Sequence, residues 1–405
     1  MRILILSSRA PWPTDRADQL TVERMMRFLA ACGDELDLVC FVDDARQDRA
    51  LREHLGPLCR HIDTVRRPRW AAYAHTAIAL TSRMPMQVSY FRSAALARRV
   101  RARVAAGDYD LVYAHAIRMA EYARDLPVPK VLGAQLSQAL NLKRMVENAR
   151  DPLRRAFFGI EERRVRPYEA EVCADFDRVV LVGRRDVEEL ARTAPVPNAV
   201  VCPHGQDIPP LESVRAARRQ PGAIVFGGVM ATYTNVDAAS WFARDIFPRV
   251  QRAVPEASFW IVGRRPQRAV QALARPPHVV VTGEVPDFSE VLCRASVAVD
   301  PLRMGAGMQN KLVQFMGCEL PVVTTRIANE GIGGTDDKEL LVRDDPDGFA
   351  DAVIGLLRDP SERARLGRAA WRFAEAHWTW DALFEKLRGI FLEAAAQADA
   401  PPRRA

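Results

Sequence analysis

The sequence predicts an α/β protein made of two doubly wound parallel sheets that follow each other along the chain. The chain opens with an apolar strand at residues 2–7, a polar loop, an amphipathic helix at 20–31 and a second strand at 35–41. That order is how a doubly wound domain begins. A similar series starts again at residues 223–229, where a short apolar run ends in two glycines. Short β-branched runs then alternate with helical segments to the end of the chain.

The remaining elements follow from the same alternation. Further strands are predicted at residues 110–115, 130–133, 178–182, 199–207 (running into a turn), 257–263, 279–283, 297–299, 320–325 and 340–342. Helices are predicted within residues 142–175, 241–253, 308–316, 347–375 and 381–395.

A polar, irregular segment at residues 209–220 is the best hinge candidate. We therefore predict a first domain over 1–207 and a second over 208–377. Residues 378–405 would form a helix that packs back on the first domain and ends in a frayed tail. A length of 405 residues agrees with two or three domains.

The composition indicates the cellular compartment of the protein, but it does not identify a binding partner. The net charge of +7 fits an anionic ligand, a membrane surface or a nucleic acid and selects none of them. The seven cysteines form no CxxC pair, which favours a reducing compartment. No signal peptide or membrane-spanning run is recognisable, so we expect a cytoplasmic protein, either free or peripheral at the inner face of the membrane.

Residues 60–104 are unusually rich in arginine, with Asp63 as their single acid. The arginines are interleaved with Trp70, Tyr73, Tyr90 and Phe91. This pattern indicates contact with an anionic membrane surface or a polyanionic acceptor, or simply a solvated arginine-rich face. No nucleic-acid-binding motif accompanies the charge, so nucleic acid is not an expected partner.

Residues 297–325 have the order strand, glycine loop, helix, strand. A helix that begins just after a glycine loop directs free N–H groups and a positive dipole end at the loop, which suits a phosphate or diphosphate. Arg303 and Lys311 add positive charge, and Gln314 offers a donor and an acceptor to a pair of hydroxyls. The alternative is an ordinary βαβ connection with surface charges.

Candidate residues in the first half lie where ligands of doubly wound sheets bind, beyond the carboxyl ends of the strands. Arg9, Arg16 and Asp18 belong to the loop after the first strand, and His115 ends a later strand. Each of these residues is equally well explained as a solvated or structural side chain.

An ordered set of motifs resembles the GT-B glycosyltransferases, more narrowly glycosyltransferase family 4, and within it the subgroup found with bacterial exopolysaccharide and exosortase (PEP-CTERM) loci. The likeness spans nearly the whole chain and is strongest from 222 to 345. The matching segments are 226–238 with Trp241 and Phe242, 261–264, 281–287, 301–311, 320–324, 330–332 and 340–342.

The resemblance implies two Rossmann-like domains facing a central cleft, and metal-independent transfer of a sugar with retention at the anomeric carbon. It implies a nucleotide-diphosphate-sugar donor in the second domain, an acceptor in the first, and no cofactor besides the donor. Catalytic roles are implied for His115, Arg303 and Lys311, and an acceptor or cleft position for Arg9, Arg16, Asp18 and His204. The implied donor-binding residues are Gly228, Gly263, Arg264, Gly283, Glu284, Val285, Gly305, Ala306, Gly307, Met308, Gln309 and Gln314.

The sequence departs from the family pattern at several of these places. The two glutamates usual eight positions apart are replaced by Ala306 and Gln314, and the usual arginine and lysine are absent from 229–235. His204 stands where an asparagine is common. A catalytically silent module that binds a nucleotide or a partner enzyme is therefore the alternative, and a different GT-B enzyme, such as an epimerase, is a third. The acceptor stays open between a polysaccharide, a lipid-linked glycan and a small natural product.

Overall fold

The computed structural model describes residues 1–67, 82–148, 152–304 and 308–398. The chain divides into two compact units, each with its own sheet. Unit 1 comprises Met1–His204 and the chain from Leu383 onward, and unit 2 is Gly205–Ala382. The α/β class with two parallel sheets is confirmed.

Unit 1 contains a seven-stranded sheet in the order β3-β2-β1-β4-β5-β6-β7. All its strand pairs are parallel. From β1 the strand order runs through β2 to β3 on one side, and from β4 to β7 on the other. The order therefore reverses between β1 and β4, which is the topological switch point of this sheet. The strands are β1 Arg2–Ser7, β2 Glu35–Val42, β3 Cys59–Arg66, β4 Leu111–His115, β5 Lys130–Gln135, β6 Arg178–Leu181 and β7 Ala199–Val201.

Helices connect these strands, and local capping explains where several begin. Asp44 and Ser93 each accept a backbone N–H from the first turn of the helix that follows them. The helices are Ala17–Ala31, Ala45–Leu55, Met86–Tyr90, Ala94–Ala106, Gln138–Asn148, Pro152–Ala174 and Arg184–Ala191, with tighter 3₁₀ turns at Gly56–Leu58 and Ile117–Tyr122.

The last helix, Trp380–Ala398, joins unit 1 from Leu383 onward. Arg388 Nε lies 2.8 Å from Asp34 Oδ2, and the Phe391 ring centroid lies 5.2 Å from that of Tyr113. A charged pair and an aromatic contact therefore both attach this helix to the unit.

Unit 2 contains a six-stranded parallel sheet in the order β10-β9-β8-β11-β12-β13. Its switch point lies between β8 and β11. The strands are β8 Ala223–Gly227, β9 Ser258–Val262, β10 Val279–Gly283, β11 Val297–Asp300, β12 Val322–Thr324 and β13 Leu341–Val342. The helices are Leu211–Ala216, Tyr233–Trp241, Phe247–Ala253, Arg268–Gln271, Phe288–Cys293, Asn310–Gly317, Arg326–Asn329, Pro346–Arg358 and Pro360–Trp378, and a π-helical turn, Phe242–Ile246, joins the second to the third.

The differences from the sequence-based elements have local causes. The strand Cys59–Arg66 was not predicted, because it is an edge strand whose side chains are mostly charged or polar. The predicted hinge contains the short helix Leu211–Ala216. The helix predicted from residue 241 begins at Tyr233, and the one predicted from residue 308 begins at Asn310, since Gln309 has a non-helical ψ of 86°.

Within the described ranges, no helix is both long enough and apolar enough to cross a lipid bilayer.

Candidate active site

The switch point of unit 2 brings together the segments that follow β8 and β11. Residues after β8 run through Gly228 into the helix Tyr233–Trp241, and residues after β11 lead to Arg303 and the helix Asn310–Gly317. Adjacent strands whose connections leave on opposite faces form a crevice beyond their carboxyl ends, where ligands of this fold class bind.

Lys311 spans this switch point. Its Nζ lies 2.9 Å from Asp300 Oδ1, at the end of β11, and donates a 2.9 Å hydrogen bond to Asn235 Oδ1, on the helix that follows β8. The same nitrogen lies 4.4 Å from the centroid of the Phe226 ring, a cation–π contact. The contact with Asn235 is a directed hydrogen bond, whereas the contact with Asp300 is an ion pair, so the ammonium has donor capacity left for another acceptor.

Asp300 is the buried partner of this lysine, with 0% exposure. Lys311 is 8% exposed, so both charges are held away from water. Burial raises the pKa of Asp300, which Lys311 opposes, and burial lowers the pKa of Lys311, which Asp300 opposes. Neither Asp300 oxygen accepts a well-directed hydrogen bond from the described residues, so the contact with Lys311 is its main compensation.

Arg303 is also paired with a carboxylate. Its guanidinium forms a two-point contact with Asp237, with Nη2 2.6 Å from Oδ1 and Nε 3.0 Å from Oδ2. It also lies 5.2 Å from the Trp241 ring centroid. The hydrogen bond to Asp237 raises the pKa of Arg303. The Arg303 side chain is 46% exposed, so it can leave Asp237 at a modest cost.

The helix Asn310–Gly317 begins without a side-chain cap. The Leu312 N–H donates to Gln309 O, which leaves the N–H groups of Asn310 and Lys311, without a partner among the described residues, for an anion at the positive end of the helix dipole. Met308 and Gln309 lie half-buried just before it, and Gln314 is half-buried on its second turn. The predicted loop residues Gly305, Ala306 and Gly307 lie outside the described residues.

Three glycines let the loops after β8, β9 and β10 approach each other closely. Gly228 donates to Val262 O, and Gly263 donates to Gly283 O, each at 3.0 Å. Gly263 has φ +147°, and a Cβ there would lie 1.7 Å from Gly228 O, so a side chain is excluded. These glycines shape the edge of the sheet. The N–H groups of Gly228 and Gly263 already donate to backbone carbonyls of the protein, so they are not available to a ligand. Beside them lie the exposed Arg264 and Glu284 and the half-buried Val285.

At the switch point of unit 1, two arginines share one carboxylate. Asp18 Oδ2 accepts from Arg9 Nη1 at 2.6 Å and from Arg118 Nη2 at 3.1 Å. Arg118 Nε also donates to Ser8 Oγ at 2.6 Å, which joins the loops after β1 and β4. Burial works to raise the pKa of Asp18, but the two arginines lower it. Burial, and secondarily Arg9, lowers the pKa of Arg118 to about 10.

His115 ends β4 and is only 2% exposed. Burial, with smaller contributions from Arg118 and His204, lowers its pKa to about 3, so the imidazole is neutral. Its Nδ1 lies 3.2 Å from the Tyr113 hydroxyl, whereas Nε2 has no hydrogen-bond partner among the described residues. An unsatisfied buried nitrogen of this kind is costly, so a ligand hydroxyl that reached it would be stabilised.

The structure thus groups the predicted residues into two sets, one in each unit. In unit 1, His204 is close enough to influence His115, whereas Arg16 is exposed at the start of the helix Ala17–Ala31. Four functional candidates were not predicted: Asn235, Asp237, Asp300 and Arg118. A strand that ends in an acid, as Val297–Asp300 does, was the available signal for one of them.

Over the described residues, no group of three or more histidine, cysteine, aspartate or glutamate side chains is arranged to hold a metal ion.

Solved structures with the GT-B fold match nearly the whole of this chain. Sucrose-phosphate synthase from Thermosynechococcus elongatus matches with a TM-score of 0.61 at 15% identity, over 98% of this chain and 100% of that one. Anabaena HepE in complex with UDP matches with a TM-score of 0.60 at 11% identity, over 97% of this chain and 100% of that one. Likenesses at this level of identity establish the fold.

Sequence relatives and a family model address the activity. The family described as glycosyl transferases group 1 matches residues 221–359. An uncharacterized 44.6 kDa protein in the cps region of Klebsiella pneumoniae is 17% identical over 95% of this chain and 98% of its own length. A GDP-mannose-dependent phosphatidylinositol monomannoside mannosyltransferase of Mycolicibacterium smegmatis is 31% identical, over 33% of this chain and 39% of that relative.

Together these findings give the chain the GT-B fold, as the motifs predicted, and make residues 221–359 similar to the group 1 glycosyl transferases. The narrower likeness to the exopolysaccharide and exosortase subgroup stays a prediction.

Proposed function

We propose that the chain transfers a sugar from a nucleotide-diphosphate-sugar donor with retention of configuration, and that the diphosphate is bound at the switch point of unit 2. One observation carries the proposal. The helix Asn310–Gly317 begins without a side-chain cap, and its second residue, Lys311, carries an ammonium that Asp300 and Asn235 hold in place. Backbone N–H groups, a helix dipole and a fixed ammonium are together suited to a diphosphate.

The relatives support the class of donor. HepE structures contain UDP and UDP-glucose, and the partly matching mannosyltransferases are named as GDP-mannose-dependent. A nucleoside diphosphate sugar is therefore the donor class to test first, and uridine and guanosine are the first bases. No cofactor besides the donor is proposed.

The proposed chemistry depends on neutralising the leaving diphosphate. Breaking the anomeric bond places negative charge on the diphosphate as an oxocarbenium-like sugar develops, and preorganised cations and N–H groups stabilise that charge. Lys311 supplies fixed charge, and Arg303 adds to it by exchanging Asp237 for a phosphate oxygen. Gln314 would receive a ribose hydroxyl as a neutral acceptor, which is weaker than the carboxylate usual in the family.

For the acceptor, we propose a glycan of a surface polysaccharide or a lipid-linked precursor of one. The full-length relative encoded in a capsule (cps) region supports this direction. His115, Arg9, Asp18 and His204 in unit 1 are proposed to serve the acceptor or the sugar being transferred.

The experiment is a panel of UDP- and GDP-sugars with the full chain, in which nucleotide release is measured with and without acceptor. We expect release from at least one donor and a retained anomeric configuration in the product by NMR. Nucleotide release from none of the donors, with nucleotide diphosphate binding intact, would refute the catalytic proposal. An inverted product would refute the retaining mechanism alone.

A further inference from the structure

A second charged pocket lies at the amino edge of the unit 2 sheet, opposite the edge proposed for the donor. Its volume is about 540 Å³, which is within the usual range of small-molecule sites. Ser296 comes directly before β11, and Arg219 and Glu319 lie shortly before β8 and β12. Because all strands of this sheet are parallel, these three residues share one edge. Two helices complete the lining with Arg215, Pro360, Arg363, Ala364 and Arg368.

The lining has an excess of positive charge, because it contains four arginines and one acid. Arg215 forms a two-point contact with that acid, Glu319, with Nη2 2.7 Å from Oε1 and Nε 3.2 Å from Oε2. These two charges balance each other. The other three guanidinium groups therefore have no carboxylate to balance them among the described lining residues.

Arg219 is held in place by neutral groups. Its Nη2 donates to Cys318 O and Glu319 O, at 3.0 Å each, just after the helix Asn310–Gly317. The side chain is half-buried, and burial lowers the pKa of Arg219, a decrease that Glu319 opposes and Arg363 increases. A backbone carbonyl orients a guanidinium without cancelling its charge. The remaining donors of Arg219 have no partner among the described residues, so they are available to an oxyanion.

Arg363 and Arg368 lie on one helix, which Asp359 caps. Arg363 Nη1 donates to the carbonyl oxygens of residues 356–357, at 2.7 Å each, so its hydrogen-bond partners are neutral as well. Asp359 is exposed and lies outside the lining; the hydrogen bond from Ser361 lowers its pKa first, and Arg363 contributes least. Arg368 is exposed and has no partner among the described residues. An exposed acid is well screened, so the positive excess of the pocket persists.

We propose that this pocket binds a small molecule that carries a phosphate group, at a site separate from the donor site. Guanidinium groups recognise phosphate oxygens by two-point contacts, and several of them around one cavity suit an anion with two or more oxygens. Arg219 and Arg368 would contact the phosphate, and Arg363 would add charge. The inference does not depend on the proposed transferase function, because none of the lining residues belongs to the donor site.

The test measures binding of inorganic phosphate, glucose 6-phosphate and glucose to the full chain by calorimetry. Four proteins are compared: wild type, Arg368→Glu, Arg252→Glu and Lys311→Met/Asp300→Asn. Arg252 is exposed in the same unit and does not line the pocket, so its reversal makes the same change of charge elsewhere. The double variant alters the proposed donor site only.

We expect at least one of the two phosphate probes to bind about tenfold or more tightly than glucose. That binding should weaken by about tenfold or more in Arg368→Glu and change by less than about twofold in Arg252→Glu and in the donor-site double variant. The two phosphate probes distinguish a free ion from a phosphate ester. Circular dichroism checks that each variant is folded.

Binding of both phosphate probes no tighter than that of glucose would overturn the inference. So would binding that survives in Arg368→Glu or that falls equally in Arg252→Glu. Binding that disappears in the donor-site double variant would also overturn it, since the anion would then occupy the donor site. Arg219→Lys, which keeps the charge but loses the forked donors, should weaken phosphate binding by about threefold or more; unchanged affinity would contradict the proposed contact. Nucleotide binding, measured separately, reports on the donor proposal, so the two can fail independently.

Discussion

Replacing Lys311 by methionine should expose how much the buried pair at the unit 2 switch point contributes. Asp300 is completely buried and has no well-directed hydrogen bond from the described residues, so the variant strands a carboxylate in the interior. Breaking a buried pair from one side typically costs about 3–5 kcal/mol. We expect the free energy of unfolding, from urea denaturation near neutral pH, to fall by about that amount.

The loss of unfolding free energy in Lys311→Met should also depend on pH, because Asp300 is left buried without its cation. Burial already raises the pKa of Asp300, and the variant removes the lysine that opposes the rise. A carboxyl whose pKa is higher in the folded than in the unfolded state loses stability as the pH rises through and above the unfolded value of about 3.9. The cost of Lys311→Met should therefore be smaller at about pH 5 than at about pH 8.

The double variant Lys311→Met/Asp300→Asn separates stability from ligand binding. It should recover most of the lost stability, because no charge remains buried, yet it should still bind nucleoside diphosphates poorly. Lys338→Met is the matched control, since that lysine is 73% exposed beside Glu339 in the same unit. If Lys311→Met is as stable as Lys338→Met at both pH values, the buried-pair interpretation is wrong. Normal donor binding by the double variant would exclude Lys311 as a diphosphate ligand.

Three further outcomes are expected. Gln314→Glu should keep or tighten nucleotide affinity by up to about tenfold, because a carboxylate accepts ribose hydroxyls more strongly; weaker binding in calorimetry would contradict the ribose role. Gly263→Ala should lower the melting temperature markedly, since its Cβ would meet Gly228 O at 1.7 Å, whereas Gly355→Ala, with nothing within 4 Å, should not. The neutral His115, with a pKa of about 3, stabilises the fold above its unfolded value of about 6.5, and this contribution is lost as the pH falls toward 3. His115→Phe should therefore lose less stability than wild type between about pH 7 and about pH 4.5; an equal loss would refute the assignment.

The sequence carried enough information for the fold because buried parallel strands are continuous apolar runs. Val297–Asp300 and Ala223–Gly227 are short, β-branched and followed by loops, and both were predicted near their observed bounds. The edge strand Cys59–Arg66 gives no such signal, since one face of it meets water and its arginines read as a charged surface.

The candidate site could be predicted only in part, because partners across the switch point are far apart in sequence. Lys311 and Arg303 were predicted from the glycine loop and the resemblance, but their partners Asn235 and Asp237 lie 76 and 66 positions away. A sequence pattern does not show that two predicted phosphate ligands already have carboxylate partners. Nor does it show that Arg9, Arg67 and Arg118, which follow three different strands, meet at one aromatic ring.

Crystals of the full chain soaked with UDP or GDP would locate the diphosphate directly. We expect its oxygens to lie within hydrogen-bonding distance of the Asn310 and Lys311 backbone N–H groups and of the Lys311 ammonium. Density for the diphosphate at any other place in unit 2, with the Asn310 helix start untouched, would contradict it.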